Sequence, residues 1–137
     1  MTMSAVDIVR AFDEAVIYDA DFDRAMTYAH PELTVREAPS LPYRSPYIGR
    51  QGLVDLMADV GSWWEFPEPH HLAYYAVTDE LVIGRIWGKS QVRATGREVD
   101  FLVTEWITVK DEKVVDIEVF YFDQGPLLEA AALVAGS

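Results

Sequence analysis

The chain has 137 residues, half of them hydrophobic and a quarter charged, which predicts one globular domain covering residues 1–137. Its formal net charge of −12 disfavours nucleic acid and anionic membranes as partners, and the absence of cysteine excludes disulfides, thiolate metal sites and a cysteine nucleophile. Because no apolar run reaches membrane-spanning length and the first residues lack a signal-peptide pattern, we expect a cytoplasmic protein that binds no membrane.

Helical periodicity dominates the first half of the chain. A first helix is predicted over residues 4–18, which begin with a sequence similar to a capping box. Asp21 is expected to cap a second helix over residues 21–29, which His30 and Pro31 would end. A third helix is predicted over residues 49–64, where the prolines that follow stop it.

Strand-like alternation dominates the second half. A short strand over residues 33–37 and a proline-rich loop over residues 38–46 come first. Four longer strands are then predicted over residues 71–78, 81–93, 98–109 and 114–122, followed by a short apolar helix over residues 127–134. Helices followed by a meander of long strands predict an α+β fold, with the helices packed on one face of an antiparallel sheet.

Two stretches of the sequence resemble a known family. Residues 33–43 look like the end-of-strand loop of SnoaL-like polyketide cyclases, and residues 112–123 resemble their last strand, with its Tyr-Phe-Asp ending. The wider group is the nuclear transport factor 2-like superfamily, which includes ketosteroid isomerase. The resemblance implies a cone-shaped α+β barrel, in which the N-terminal helices pack in a strongly curved, mostly antiparallel sheet around an apolar pocket. It also implies a homodimer formed through the outer face of the sheet.

Glu37 is the first candidate catalytic residue. It ends the strand over residues 33–37, and its position is similar to that of the general base of ketosteroid isomerase. A carboxyl group at the mouth of an apolar pocket has a raised pKa, because desolvation penalises its charged form. Such a group can take a proton from the carbon next to a carbonyl. The alternative is a solvated glutamate that pairs with Arg36 or Arg44.

Glu105 is the second candidate, because it lies among apolar residues of a predicted strand. With a period of two, Val103, Glu105 and Ile107 share one face of that strand. Glu105 resembles the protonated acid of ketosteroid isomerase, which donates a hydrogen bond to a developing enolate. The alternative is a cross-strand partner of a basic residue on the exposed face of the sheet.

Asp13 is the third candidate, and it stands where ketosteroid isomerase has a tyrosine on its first helix. The resemblance turns Asp13 inward, although a carboxyl group there is also typical of a helix boundary with a basic neighbour. Tyr18 lies about one turn further along and is expected to contact substrate or to stabilise an enolate. The acids near the last strand do not match the aspartate on which SnoaL-type cyclases rely.

Aromatic and basic residues supply the remaining candidates. Four Trp, seven Tyr and six Phe suit a pocket for a flat apolar molecule, but also a plain core or a dimer face. The predicted substrate-binding residues are Tyr18, Trp63, Trp64, Arg85, Trp87, Val119 and Tyr121. For Arg85, the alternative is a solvated outer face with cross-strand carboxylates.

The three histidines do not predict a metal site. His70 and His71 are adjacent on a strand, so their side chains point to opposite faces and cannot easily bind one ion. Since the sequence also lacks a glycine-rich phosphate loop, we expect no metal and no cofactor. One of the two histidines can instead act as an acid or base at the mouth of the pocket.

Together these residues predict a cofactor-independent acid–base enzyme of the isomerase, cyclase or dehydratase type. Its substrate would be a hydrophobic, polyketide-like or terpenoid-like small molecule. Two other functions stay open. A small-molecule-binding protein is favoured by the absence of any relative's complete catalytic set, and a dimerisation module would be favoured by a pocket filled with Trp and Phe.

Overall fold

The computed structural model describes residues 2–136 and begins with a capped helix. The hydroxyl of Ser4 accepts a hydrogen bond from the N–H of Asp7, which starts the first helix. The helices are α1 (Ala5–Asp13), which continues as a π-helical turn over Glu14–Tyr18, α2 (Phe22–Met26), α3 (Gly49–Trp63) and α4 (Gly125–Ala135). None of the helices within these residues is both long and apolar enough to pass through a membrane.

Seven strands among the described residues form one sheet. They are β1 (Ala29–Arg36), β2 (Tyr47–Ile48), β3 (Trp64–Glu65), β4 (His71–Thr78), β5 (Leu81–Val92), β6 (Glu98–Lys110) and β7 (Lys113–Tyr121). Their order is β2-β1-β7-β6-β5-β3, and β4 also pairs with β5. The long strands β4 to β7 form an antiparallel meander, whereas β1 runs parallel to β7. The last strand therefore lies between the first strand and β6.

The core lies between α1 and the concave face of the strongly curled sheet, which forms a half-barrel. Helical spacing buries Ile8, Val9 and Phe12 of α1 and Val16 of the π-helical turn, while alternate residues of each strand point inward to meet them. Inward residues with almost no exposed surface include Val82, Ile86, Val103, Ile107 and Ile117. This packing confirms the predicted α+β cone with helices inside a curved sheet.

The entry into β1 differs from the prediction. The second helix ends at Met26 rather than near residue 29, and β1 begins at Ala29, so His30 and Pro31 lie within a strand. Ala29 pairs with Val114, and the register shifts before Thr34. A proline is tolerated there because the irregular stretch needs no N–H from it.

The two shortest strands and the parallel pair were also outside the prediction. β2 and β3 have two residues each, which is too few for alternation to reveal them. The parallel pairing of β1 with β7 joins segments that are about eighty residues apart in the chain, and no local pattern encodes such a partner.

Candidate functional site

A cavity of about 460 Å³ opens on the concave side of the sheet. Its volume is within the usual range of small-molecule sites. Apolar walls come from α3 and the central strands, through Leu56, Met57, Val60, Ile86, Val103 and Val119. The polar residues of the lining are Tyr18, Glu37, Glu68, His70, Glu105 and Tyr121. The cavity is therefore mostly apolar, with a small set of groups that can carry chemistry.

Glu37 and Glu105 lie on opposite sides of Val119. Glu105 pairs directly with Val119 across β6 and β7. On the other side of β7, Arg36 pairs with Glu118, so the next residue, Glu37, comes beside Val119. Neighbouring strands are about 4.8 Å apart, which puts the main chains of the two glutamates roughly 10 Å from each other. A single bound molecule can therefore contact both side chains.

Glu37 is a buried carboxyl group in a largely apolar setting. Only 8% of its surface is exposed, and its Oε2 atom has no hydrogen-bond partner among the described residues. Its main-chain N–H donates to the hydroxyl of Ser45, which fixes the backbone at the end of β1. Desolvation by burial raises the pKa of Glu37 to about 7. The alternative pairing with Arg36 or Arg44 is not formed, because Arg36 bonds Asp116 and Arg44 bonds Asp59.

Glu105 faces the cavity from the neighbouring strand. The residue is half-buried, and it forms part of the cavity wall. Desolvation raises the pKa of Glu105 well above its usual value, and the nearby carboxyl groups of Asp13 and Glu37 raise it further. The raised pKa favours the protonated form of Glu105, which can donate a hydrogen bond.

Asp13 lies in the core near Glu105, and it does not form part of the cavity wall. It is 3% exposed, and its Oδ2 atom accepts a hydrogen bond of 2.8 Å from the hydroxyl of Tyr74. Burial raises the pKa of Asp13, and the hydrogen bond from Tyr74 opposes that rise. Its partner is thus a tyrosine of β4 rather than a basic neighbour.

Tyr18 and His70 meet at the mouth of the cavity. The hydroxyl of Tyr18 donates to the main-chain carbonyl of His70 at 2.9 Å, so this hydroxyl is already engaged. His70 stacks on Phe101, and burial lowers the pKa of its imidazole. Its Nε2 atom is buried without a partner among the described residues. A neutral imidazole therefore forms part of the lining, while His71 lies on the outer face beside Trp87.

A chain of aromatic hydrogen bonds ends at the cavity, and the sequence did not predict it. The indole N–H of Trp64 donates to the hydroxyl of Tyr43 at 2.8 Å, and that hydroxyl lies 2.8 Å from the hydroxyl of Tyr121. Tyr43 belongs to the proline-rich loop, so only the folded loop brings it to β7. No spacing in the sequence signals this contact.

Four of the predicted substrate-binding residues do not line the cavity. Arg85 and Trp87 lie on the outer face, because side chains alternate along β5 and Ile86 takes the inner side. The guanidinium of Arg85 sits 5.0 Å from the centre of the Trp87 indole, which fits the solvated-face alternative. Trp64 is buried behind the cavity, and Trp63 at the end of α3 is half-buried outside it.

A second, more open cleft of about 670 Å³ shares part of this wall. It contains Glu37, Val119 and Tyr121 together with residues of the proline-rich loop. Within residues 2–136, no group of three or more acidic or histidine side chains is arranged to hold a metal ion. The cavity thus offers carboxyl, phenol and imidazole groups for proton transfer and hydrogen bonding.

Comparisons with known proteins identify the fold. No protein-family model and no curated protein matches the chain. Among solved structures, an NTF2-like protein from Burkholderia xenovorans LB400 aligns with a TM-score of 0.74 and 21% identity, over 95% of this chain and 98% of that one. A proposed SnoaL-like polyketide cyclase from Mesorhizobium loti aligns with a TM-score of 0.70 and 19% identity, over 87% and 100%. A proposed isomerase from Rhodopseudomonas palustris gives 0.66 and 10%, over 96% and 98%. The chain therefore has the nuclear transport factor 2-like fold.

Proposed function

We propose that this chain is a cofactor-independent acid–base enzyme of the isomerase, cyclase or dehydratase type. The observation that carries the proposal is that Glu37 and Glu105, two carboxyl groups with raised pKa values, line one apolar cavity. The names of two similar structures, a proposed cyclase and a proposed isomerase, agree with this class. The fold alone does not support a specific activity, because proteins of one fold catalyse many different reactions.

The proposed reaction begins with proton transfer to Glu37. The ionised carboxylate removes a proton from the carbon next to a substrate carbonyl, and the electron pair of the broken C–H bond forms an enolate. Protonated Glu105 donates a hydrogen bond to the enolate oxygen and stabilises its charge. Return of the proton from Glu37 to a different carbon completes an isomerisation. With its pKa at about 7, Glu37 is both ionised and basic enough for this task near neutral pH.

The charge of the lining favours an uncharged substrate. Neither Lys nor Arg is among the residues that form the cavity, whereas Glu37, Glu68 and Glu105 are. A carboxylate or phosphate entering this space would meet acidic groups without a counter-charge, and it would also lose its hydration. A neutral, hydrophobic, polyketide-like or terpenoid-like ketone meets neither cost, which supports that substrate class.

A non-catalytic binding protein with the same cavity is the second candidate. It is favoured by Asp13, which stands where ketosteroid isomerase has a donor tyrosine and which is already bonded to Tyr74. Such a protein would bind the same neutral molecules and release them unchanged.

The proposal includes a homodimer formed through the outer face of the sheet. The exposed aromatic side chains of that face include Trp106, Phe120 and Phe122, of which the last is 83% exposed. Trp106 and Phe120 pack edge to face on neighbouring strands, so they present one apolar surface. Burial of these rings against a second copy would remove them from water.

The experiment follows hydrogen–deuterium exchange at the α carbon of a neutral bicyclic ketone, 2-tetralone, by NMR in D₂O. We expect the wild-type protein to accelerate exchange and Glu37→Gln to abolish the acceleration. Glu118→Gln is the matched control, because Glu118 lies one residue from Val119 on the opposite face of β7 and contacts Arg36. Binding of the ketone without any acceleration would favour the binding protein, and full activity of Glu37→Gln would overturn Glu37 as the base.

A further inference from the structure

The hydrogen-bond chain from Trp64 to Tyr121 has one fixed donor, the indole N–H of Trp64. An indole N–H can only donate, so the hydroxyl of Tyr43 accepts from Trp64. The hydroxyls of Tyr43 and Tyr121 lie 2.8 Å apart, and either of them can donate to the other, because a hydroxyl oxygen can accept two hydrogen bonds. When Tyr43 donates to Tyr121, the hydroxyl proton of Tyr121 is left for an acceptor other than these three residues.

That outside acceptor would be in the cavity. Tyr121 lines it, and no described side chain accepts a hydrogen bond from Tyr121 other than Tyr43. Stacking on Trp64 and an edge-to-face contact with Phe101 hold the ring of Tyr121 in place. Hydrogen bonds that run in one direction polarise each other, so in the arrangement in which Tyr43 donates to Tyr121, donation from Trp64 to Tyr43 strengthens Tyr121 as a donor.

Tyr121 is also in the right place for the proposed chemistry. It is the next inward residue after Val119 on β7, and it pairs with Val103, which neighbours Glu105 on the same face of β6. Diagonal neighbours of this kind are about 7–8 Å apart at their Cα atoms, within reach of a tyrosine side chain. Burial raises the pKa of Tyr121 most strongly, followed by Tyr43, and Glu37 is close enough to raise it further. The phenol therefore stays protonated beside the proposed base.

We infer that Tyr121 is a catalytic hydrogen-bond donor to the carbonyl oxygen of the bound substrate, and that Tyr43 and Trp64 are positioning residues that orient its proton. This inference rests on the proposed function and adds a substrate requirement, a carbonyl oxygen that reaches both Tyr121 and Glu105. As the α proton moves to Glu37, negative charge grows on that oxygen. Two neutral donors then share its stabilisation.

The test uses the infrared carbonyl stretch of ¹³C-labelled 2-acetylnaphthalene, a neutral ketone, bound to the full chain. Donation to the oxygen lowers the stretching frequency, so we expect a lower frequency in the wild type than in Tyr121→Phe. Tyr43→Phe should give an intermediate frequency, because it removes the orienting bond and keeps the donor. Tyr75→Phe is the control, since Tyr75 is 54% exposed on the outer face. Exchange of 2-tetralone should fall about 100-fold in Tyr121→Phe, the usual loss on removing one such donor.

The outcomes separate this inference from the proposed function. An identical carbonyl frequency in wild type and Tyr121→Phe, with Glu37→Gln still inactive, would overturn Tyr121 as the donor and leave the base in place. If Tyr121→Phe changes the carbonyl frequency but Glu37→Gln keeps full exchange activity, Tyr121 remains the donor and Glu37 is not the base. If Tyr43→Phe matched the wild type, the role of Tyr43 and Trp64 would be overturned. Failure of the ketone to bind would overturn the carbonyl requirement itself.

Discussion

Glu37 and Glu105 flank Val119 from the two strands that neighbour β7, and burial raises the pKa of both carboxyl groups. Their surroundings nevertheless differ in degree. Burial raises the pKa of Glu37 to about 7, whereas the pKa of Glu105 is raised well above its usual value by burial first and then by the carboxyl groups of Asp13 and Glu37. Glu37 thus ionises near neutral pH, while the surroundings of Glu105 favour its protonated form, and this difference suits a proton acceptor and a hydrogen-bond donor.

The exchange reaction should depend on pH through Glu37. Below pH 7 the carboxyl group is mostly protonated, so the rate of α-proton exchange should rise about tenfold per pH unit and level off above about pH 7. A pH–rate profile of the wild type with 2-tetralone measures this. A rate that levels off near pH 4.5 would mean that an ordinary, solvated carboxylate is the base.

Glu37 should also make folding stability depend on pH. Because its pKa is raised from 4.5 to about 7 on folding, the folded protein binds more protons than the unfolded chain in this range, so stability falls as pH rises. The full effect is about 3 kcal/mol. Glutamine does not ionise, so the unfolding free energy of Glu37→Gln does not fall for this reason. Relative to the wild type, the variant should therefore become more stable by about 3 kcal/mol between pH 4.5 and pH 8. Urea unfolding of both proteins at the two pH values measures the difference, and equal pH dependence would contradict a buried Glu37.

Glu105 should be replaceable by a neutral donor. Glu105→Gln keeps a hydrogen-bond donor at the same place, so exchange should fall by less than about tenfold, whereas Glu105→Leu should lose about 100-fold. Ketone binding measured in parallel shows whether each cavity is still formed. Equal activity of the Leu variant and the wild type would exclude donation by Glu105.

The bond between Tyr74 and Asp13 should stabilise the core. Tyr74→Phe leaves a buried carboxyl group without its partner, which should cost about 1–2 kcal/mol of unfolding free energy. The hydrogen bond lowers the pKa of Asp13, so its loss raises that pKa and the cost should grow as pH rises. Tyr75→Phe on the next position of β4 is the control. An unchanged denaturation midpoint in Tyr74→Phe at pH 8 would contradict the prediction.

The outer face should control the oligomeric state. Phe120 is 52% exposed to solvent in the single chain. Phe120→Glu therefore places a charge in the exposed aromatic surface that the dimer would bury. We expect a dimer in the wild type and a monomer in Phe120→Glu by analytical ultracentrifugation. Leu133→Glu on α4, at a similarly exposed apolar site, should remain dimeric. A monomeric wild type would exclude the proposed dimer.

Local sequence patterns predicted the elements well, because helical and strand periods are properties of adjacent residues. Alternation places Glu105 on the same face of its strand as Val103 and Ile107, and the structure turns that face inward. Arg85 and Trp87 were predicted for the cavity and lie outside it, since alternation defines two faces without saying which of them is inner. Tyr43 could not be found, because its contact with Tyr121 joins a loop to a strand 78 residues away.

The parallel pairing of β1 with β7 has a consequence for how the protein folds. Glu37 and its neighbour Val119 are about eighty residues apart, so the chain must close a long loop before these residues can meet, and that closure has an entropic cost. On a ribosome, β7 is synthesised after every other strand. The polar groups of the cavity can therefore come together only after β7 has left the ribosome, so a nascent chain that lacks β7 carries Glu37 and Glu105 without the cavity that they line.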